Sequence, residues 1–461
     1  MDLRAALVEA LGSEDRIATG ESVLDQHAAD LTYHPAHRPD AVVFAESRED
    51  VTQVLVLAQR ERVPVVPFGA ATSLEGHVIP VAGGISLDLT RLNRIEAVDA
   101  GDLTATVQAG VTRVQLNERL SRDGLQFSVD PGADATLGGM AATNASGTTT
   151  VRYGGMRAHV LALEVVLADG GVIRTGSRAR KSSAGYDLTS LFVGSEGTLG
   201  VITELTVRVH GIPEHALAIR VAFPDLDAAC ETAVALVGAG VPVERLELLD
   251  GRTMAAVNAF KGTAYDEAPS LFVELAGTEA GIAGDLEATR ELAEAATAFQ
   301  VERDPTARAR LWEARHHVFF ALVAASPGRQ RMTTDVCVPV SQLPDALRHA
   351  RAAIEKRGLE AGIIAHAGDG NYHIGFMLDP ADPSALERAR SLNGEIVQWA
   401  LAHGGTCTGE HGIGLGKRAF LEREHRDLLP LMRGIKALLD PHGILNPGKI
   451  FSLHGQGLAN A

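Results

Sequence analysis

The chain has 461 residues, 46% hydrophobic and 22% charged, with 42 basic against 58 acidic side chains and a formal net charge of −16. That length exceeds one compact core and implies two or three domains, while the acidic balance argues against nucleic acid and against adhesion to anionic lipid. Cys230, Cys337 and Cys407 are few and widely spaced, which excludes a cysteine-ligated iron–sulfur cluster and fits a reducing compartment; no apolar run suits a signal core or a membrane span, so a cytoplasmic protein not integral to a membrane is expected.

Residues 1–40 read as a short helix and a polar lead-in. A β-α-β start follows: a strand over 41–45, a helix over 48–62 with Val51, Val54, Leu55 and Ala58 on one face, and a strand over 63–66. Directly after it come Pro67, Phe68, Gly69, Ala70, Ala71, Thr72, Ser73, Leu74, Glu75, Gly76 and His77. Their small and hydroxyl side chains let backbone N–H groups close on an anion such as a diphosphate. A second loop of the same texture runs over 131–147 and on to 155, with Pro131, Gly132, Asp134, Thr136, Gly138, Gly139, Ala142, Asn144, Ser146, Gly147, Tyr153 and Gly154. It holds few bulky groups to block a large flat ligand. Strands over 160–167 and 171–175 flank an Asp169-Gly170 turn, and a third loop, 193–200 with Glu196 and Gly200, leads into a strand over 201–209 that includes Ile202. No strand-to-helix G-x-G-x-x-G occurs; Gly414-x-Gly416-x-x-Ala419 follows a helix and a loop, so a nicotinamide nucleotide on a Rossmann domain is disfavoured and another nucleotide is required.

After Pro213 the pattern becomes a strand over 216–223, a helix over 227–238, and strands over 244–249 and 270–275. A helix over 307–325 places Trp312, Arg315, His316 and Phe319 on one face. The stretch 365–376, AHAGDGNYHIGF, reads as a strand, a four-residue turn at 368–371 and a second strand. In that register His366 stands opposite His373, with Cβ atoms roughly 4.5–5.5 Å apart, which suits two imidazoles closing on one metal ion. A third ligand is sought in the loop 404–417, GGTCTGEHGIGLGK, which carries Glu410 and His411. Two histidines and one carboxylate leave coordination positions open, as at catalytic metals. The tail over 438–450, which contains Asn446, is punctuated by Pro and Gly and is expected to return to the first domain.

Taken in order, the three glycine loops, H-x-G-D-G-N-x-H, G-E-H-G and L-N-P-G-K resemble the FAD-linked oxidases of the vanillyl-alcohol-oxidase (PCMH-type) fold over roughly 35–452. The likeness is to the branch holding D-lactate dehydrogenases, D-2-hydroxyglutarate dehydrogenases and the flavin subunit of glycolate oxidase. This resemblance implies an α+β fold: a PCMH-type FAD-binding domain over 1–212, a ferredoxin-like cap with the substrate and metal sites over 213–425, and a segment over 426–461 returning to the first domain. It implies FAD, held non-covalently along 68–73, 132–147 and 196–202, and a divalent zinc or manganese held by His366, His373 and Glu410. It further implies His411 as the base and Arg315 as the partner of the substrate carboxylate. The hydroxyglutarate enzymes carry Thr, Lys and Asn where Phe319, Thr333 and Gly375 stand here, whereas Ala314-Arg315-His316 and the run 334–339 are similar to the cytochrome-type D-lactate dehydrogenases.

The expected activity is therefore oxidation of an apolar-tailed D-2-hydroxy acid, foremost D-lactate, to the 2-keto acid. Electrons would pass to a cytochrome, a quinone or an electron-transferring flavoprotein; a homodimer and peripheral attachment to the inner face of a membrane are both compatible. The alternatives are a glycolate oxidase subunit working with partner chains, a D-2-hydroxyglutarate dehydrogenase, a transferase like alkylglycerone-phosphate synthase, and a flavin-free metal hydrolase.

Overall fold

The computed structural model describes residues 2–453. The chain divides into two compact units, the first running to Ser146 and then over Gly154–Ile212 and from Glu410 onward, the second comprising Gly147–Tyr153 and Pro213–Gly409. The chain thus resumes the first unit at Glu410, earlier than the expected 426, and positions 454–461 of that final segment lie outside the described residues. Gly147–Tyr153 leaves the second glycine loop for the second unit, because Arg152 donates to the carbonyls of Pro242 (3.0 Å) and Ala276 (2.9 Å), and Tyr153 to Glu244 (3.1 Å).

In the first unit, Ala41–Phe44, Ile85–Asp88 and Val65–Phe68 form a parallel sheet edged by Ile17–Ala18. Their near-continuous Val, Ile and Leu content suits strands covered on both faces. Helix Arg48–Glu61 begins at a Ser47/Asp50 capping box and buries Val51, Val54, Leu55 and Ala58 against this sheet. The strand after it is Val65–Phe68 rather than 63–66, so Pro67 and Phe68 belong to the sheet and the loop starts at Gly69. A five-stranded antiparallel sheet follows, ordered Ile95–Asp99, Thr104–Gln108, Val201–Arg208, Val160–Val166 and Val172–Gly176. Leu445 bridges Val65, so the tail returns to the first sheet as expected.

The second unit is built on an eight-stranded antiparallel sheet. Its path runs Ala298–Glu302, His215–Ala222, Ser270–Gly277, Val243–Leu249, Ala361–His366, Asn371–Leu378, Gln330–Thr333, with Val336–Cys337 also paired to Asn371–Leu378. Helices Gly251–Lys261, Pro305–His316 and Val318–Ala325 pack on one face, where Met254, Val257, Leu311, Val318 and Leu322 meet Leu249 and Met377. The single helix expected over 307–325 is two, broken at His317. The break also divides the expected face: Trp312 and Arg315 are buried, while His316 and Phe319 are exposed. The apolar run through 318–325 carries no Gly or Pro to mark the interruption.

The metal-loop hairpin forms, but with its turn one residue earlier and its pairing two residues away from the expected register. Its turn is Ala367–Gly370, so His366 pairs with Asn371 and His373 with Ile364. Asn371 is drawn into the strand because its amide donates to Asp335 and to the Val336 carbonyl, both at 2.7 Å. Gly370 takes the left-handed corner (φ +77°), where a Cβ would collide with the Val338 carbonyl. The two histidines are consequently diagonal neighbours that still share a face.

Candidate functional site

The first unit holds a cavity where its glycine-rich loops meet. Its walls include Pro67, Phe68, Gly69, Ala70, Ala71, Thr72, Ser73 and His77 from the first loop, Pro131, Thr136, Gly138, Gly139, Ala142 and Ser146 from the second, and Glu196, Gly200, Ile202 and Asn446. Glu410 and His411 line the same cavity. Apolar wall residues such as Leu89, Ala109, Met140 and Val201 went unnoticed in the sequence, since nothing distinguishes them from ordinary core.

Several expected cofactor residues stand elsewhere. Gly76, Gly132, Asp134, Asn144 and Gly154 are not in the walls: Asp134 accepts from Val114 N–H (3.1 Å), and Asn144 accepts from Arg157 N–H (3.1 Å) in a left-handed conformation. Gly147 and Tyr153 belong to the second unit. Glycine density picks out loops that line the cavity but cannot tell which of their residues turn inward.

The cavity is held open by its own polar frame. Glu196 accepts from the N–H groups of Ile413 (2.6 Å) and Gly414 (2.9 Å) and lies 3.3 Å from His77. Burial would lower the His77 imidazole, but the Glu196 carboxylate outweighs it and raises the pKa; burial would raise Glu196, and His77 holds it low. Asn446 donates to the carbonyls of His77 (3.0 Å) and Glu196 (2.7 Å), and is itself gripped by Lys449 (3.1 Å). Of seven non-glycine residues with left-handed backbone among the described residues, Ala71, Glu196 and Asn446 face this cavity. Such strain concentrates at ligand sites.

These residues suit a dinucleotide flavin. The wall is largely backbone and small side chains, and at Gly138 even a Cβ would press on Ala109. His77 Nδ1 is buried with no hydrogen-bond partner among the described residues, a donor or acceptor waiting on a ligand.

In the second unit, His366 and His373 are buried with ring centroids 5.4 Å apart and ring planes at 86°. Each Nδ1 is fixed by a partner: Glu247 Oε1 at 2.7 Å from His366, and the Thr334 carbonyl at 3.1 Å from His373. A metal-binding imidazole is ordinarily oriented in this way, its second nitrogen held by a carboxylate or carbonyl so that Nε2 meets the ion. The donor set therefore fits a divalent metal.

Glu247 belongs to no motif in the sequence. It sits on Val243–Leu249, where an acid within an apolar strand was the available signal. Its other oxygen accepts from Arg315 Nε (3.0 Å) and Nη2, so one carboxylate braces both a metal-type histidine and the expected substrate arginine. Burial would raise Glu247, yet Arg315 and then His366 hold it below the usual carboxylate range. Arg315 is accordingly buried, and the side edge of its fork is already taken; the Nη1 end remains for a ligand.

Residues 39–176 match the family model "FAD binding domain" and 212–450 match "FAD linked oxidases, C-terminal domain". "Probable D-lactate dehydrogenase, mitochondrial" from Danio rerio is 43% identical over 95% of this chain and 90% of its own length. "D-lactate dehydrogenase [cytochrome], mitochondrial" from Arabidopsis thaliana is 42% identical over 92% of this chain and 75% of its own. A solved alkyldihydroxyacetonephosphate synthase superposes with a TM-score of 0.78 at 19% identity, covering 97% of this chain and 86% of that one, which shows a shared fold.

Proposed function

This chain belongs to the FAD-linked oxidases, and from that premise we propose that it oxidises a D-2-hydroxy acid, D-lactate or a close apolar-tailed relative, to the 2-keto acid. The observation that carries this reading is the placement of His411 in the wall of the cavity lined by the glycine-rich loops, directly beside Glu410 in the chain. Bound FAD would supply the two-electron acceptor. A divalent zinc or manganese held by His366, His373 and Glu410 would make the substrate hydroxyl more acidic, as zinc brings bound water from 15.7 to about 7.

The remaining work falls to the chain's own groups. His411 takes the hydroxyl proton. Arg315 offers its Nη1 end to the substrate carboxylate, a charge-assisted contact strengthened by burial. Glu247 keeps both Arg315 and His366 aimed by accepting from each. Phe319 and Thr333 frame the substrate tail. The cytochrome named in the plant relative makes a cytochrome our proposed electron acceptor. No helix of the described residues is long and apolar enough to cross a membrane.

Anaerobic mixing of the yellow protein with D-lactate, L-lactate and glycolate tests the proposal. D-lactate should bleach the flavin fastest. Bleaching by glycolate alone, only in the presence of partner chains, would move the reading to a glycolate oxidase subunit; no bleaching by any 2-hydroxy acid would favour a transferase without net redox.

A further inference from the structure

One buried carboxylate of the second unit has no task in the proposed reaction, yet it stands beside His373 and holds the loop that leads to Glu410. Asp335 is fully buried in the link between the strands Gln330–Thr333 and Val336–Cys337. Its Oδ2 accepts from the Thr408 hydroxyl (2.6 Å) and the Gly409 N–H (3.0 Å), and its Oδ1 accepts from the Asn371 amide (2.7 Å). The same Oδ1 lies 3.8 Å from His373 Nδ1, which is bonded to the carbonyl of the preceding residue, Thr334. The Thr334 hydroxyl in turn accepts from the Ile374 N–H (3.0 Å). Residues 334 and 335 together therefore grip the histidine strand at 371, 373 and 374 and the loop at 408 and 409.

The loop is pressed against these strands. Thr406 N–H donates to the Cys337 carbonyl (2.8 Å) and Cys337 N–H to that of Thr406 (3.3 Å), a bridge just ahead of the Asp335 contacts. A Cβ at Gly409 would sit 2.2 Å from the Asn371 amide nitrogen, and one at Gly405 2.4 Å from the Cys337 carbonyl oxygen. With glycine at 404, 405, 409, 412, 414 and 416, the segment has little stiffness of its own, so its course is set by what it is tied to. Three donors meet the two oxygens of Asp335, which puts the group in the acceptor role of a carboxylate, and such bonds are roughly twice as strong as those between neutral groups. Gly409 is the last residue of the second unit and Glu410 follows at once, so fixing the N–H of 409 fixes the point from which Glu410 and His411 depart.

We propose that Asp335 is a positioning residue for the metal: by tying Thr408 and Gly409 to the His373 strand, it sets where the Glu410-His411 pair begins, without itself touching the ion or the substrate. The inference rests on the proposed function, which takes His366, His373 and Glu410 as the residues that hold the metal. Glu247 braces His366 and Arg315 from one side, and Asp335 braces the third ligand from the other. Removing an outer partner of this kind typically weakens metal binding about 10- to 100-fold.

The test is binding of manganese(II) to the FAD-loaded, metal-stripped protein, read from the paramagnetic resonance of the free ion, with flavin absorbance recorded for each variant. Asp335→Asn turns one accepting oxygen into a donor and should weaken manganese at least about tenfold while FAD stays bound. Thr408→Val, which removes one donor and leaves the carboxylate, should weaken it in the same direction by less, and Thr408→Ser should regain what Thr408→Val loses. The Thr408 pair decides the matter even if Asp335→Asn does not fold. Unchanged affinity in Thr408→Val would overturn the proposal, because any loss in Asp335→Asn would then come from a direct ligand or a folding residue and not through the loop. If the unsubstituted protein binds manganese and every variant binds it equally, this proposal falls alone; if the unsubstituted protein binds none and still bleaches with D-lactate after chelation, the metal reading falls with it.

Discussion

Glu410 and His411 are adjacent in sequence and share one cavity wall, yet their proposed tasks differ: the carboxylate binds an ion and the imidazole moves a proton. Replacing His411 with Ala removes the base without touching the polar frame of Glu196, His77 and Asn446. The variant should stay yellow while substrate-driven bleaching slows at least about tenfold, toward the 10² to 10⁴ that a general base typically contributes. Unchanged bleaching would strip His411 of that role. Glu247 carries a stability prediction. Its folded pKa is depressed below its ordinary 4.5, so its contribution is complete above about that pH and is lost as acid protonates it in the folded state. Glu247→Gln should cost about 3–5 kcal/mol at neutral pH, because Arg315 is left buried without its partner, and should flatten the acid side of the stability curve. Denaturant unfolding across pH measures both. At this scale the sequence draws the eye to His366 and His373 because they stand in the two strands that flank a glycine-rich turn, and to Glu410 and His411 because they lie in a glycine-dense loop. Glu247 has no such mark, since a strand acid looks alike whether it faces solvent or a buried arginine.

The elements were legible wherever apolar periodicity was long. The helix at 48–61 and the strands at 160–166, 201–208 and 243–249 fall within one or two residues of expectation. The misses came where a long-range contact outvoted local chemistry. Asn371 reads as a turn residue, but two hydrogen bonds from its amide recruit it into the strand and move the turn back by one. The tail is a further case: Pro and Gly announce a loop, whereas its anchoring depends on two buried lysines. Lys436 donates to the carbonyls of Thr198 (2.7 Å) and Leu445 (2.9 Å), and Lys449 to that of Ile79 (2.6 Å). Burial lowers Lys449 from 10.5 to about 7. Between those values the unfolded chain holds the extra proton, so this residue makes stability rise with pH from about 7 to 10.5. Lys449→Met should remove that rise and, by orphaning the Ile79 carbonyl and Asn446, loosen FAD. Thermal unfolding of both proteins across that interval decides it; parallel curves would show that Lys449 keeps its proton throughout.

At the scale of the whole molecule, composition and length indicated more than one domain, and the two matched family models follow the same order along the chain. What sequence order conceals is that neither unit is continuous, because short segments cross over on the strength of a few hydrogen bonds such as those of Arg152. The two proposed cofactors can still be removed one at a time. Every wall residue of the large cavity belongs to the first unit, whereas His366, His373 and their Nδ1 partners belong to the second. Dialysis against a chelator should therefore leave the visible flavin absorbance in place while abolishing bleaching by D-lactate, and zinc or manganese should restore it. The metal-free protein should also unfold earlier, since an ion present at a hundred times its dissociation constant stabilises by about 2.7 kcal/mol. Adding the metal back to His366→Ala should recover neither bleaching nor stability. If the chelated protein bleached at the original rate, the two histidines would be a buried structural pair and the alcohol proton would have to leave without help from an ion.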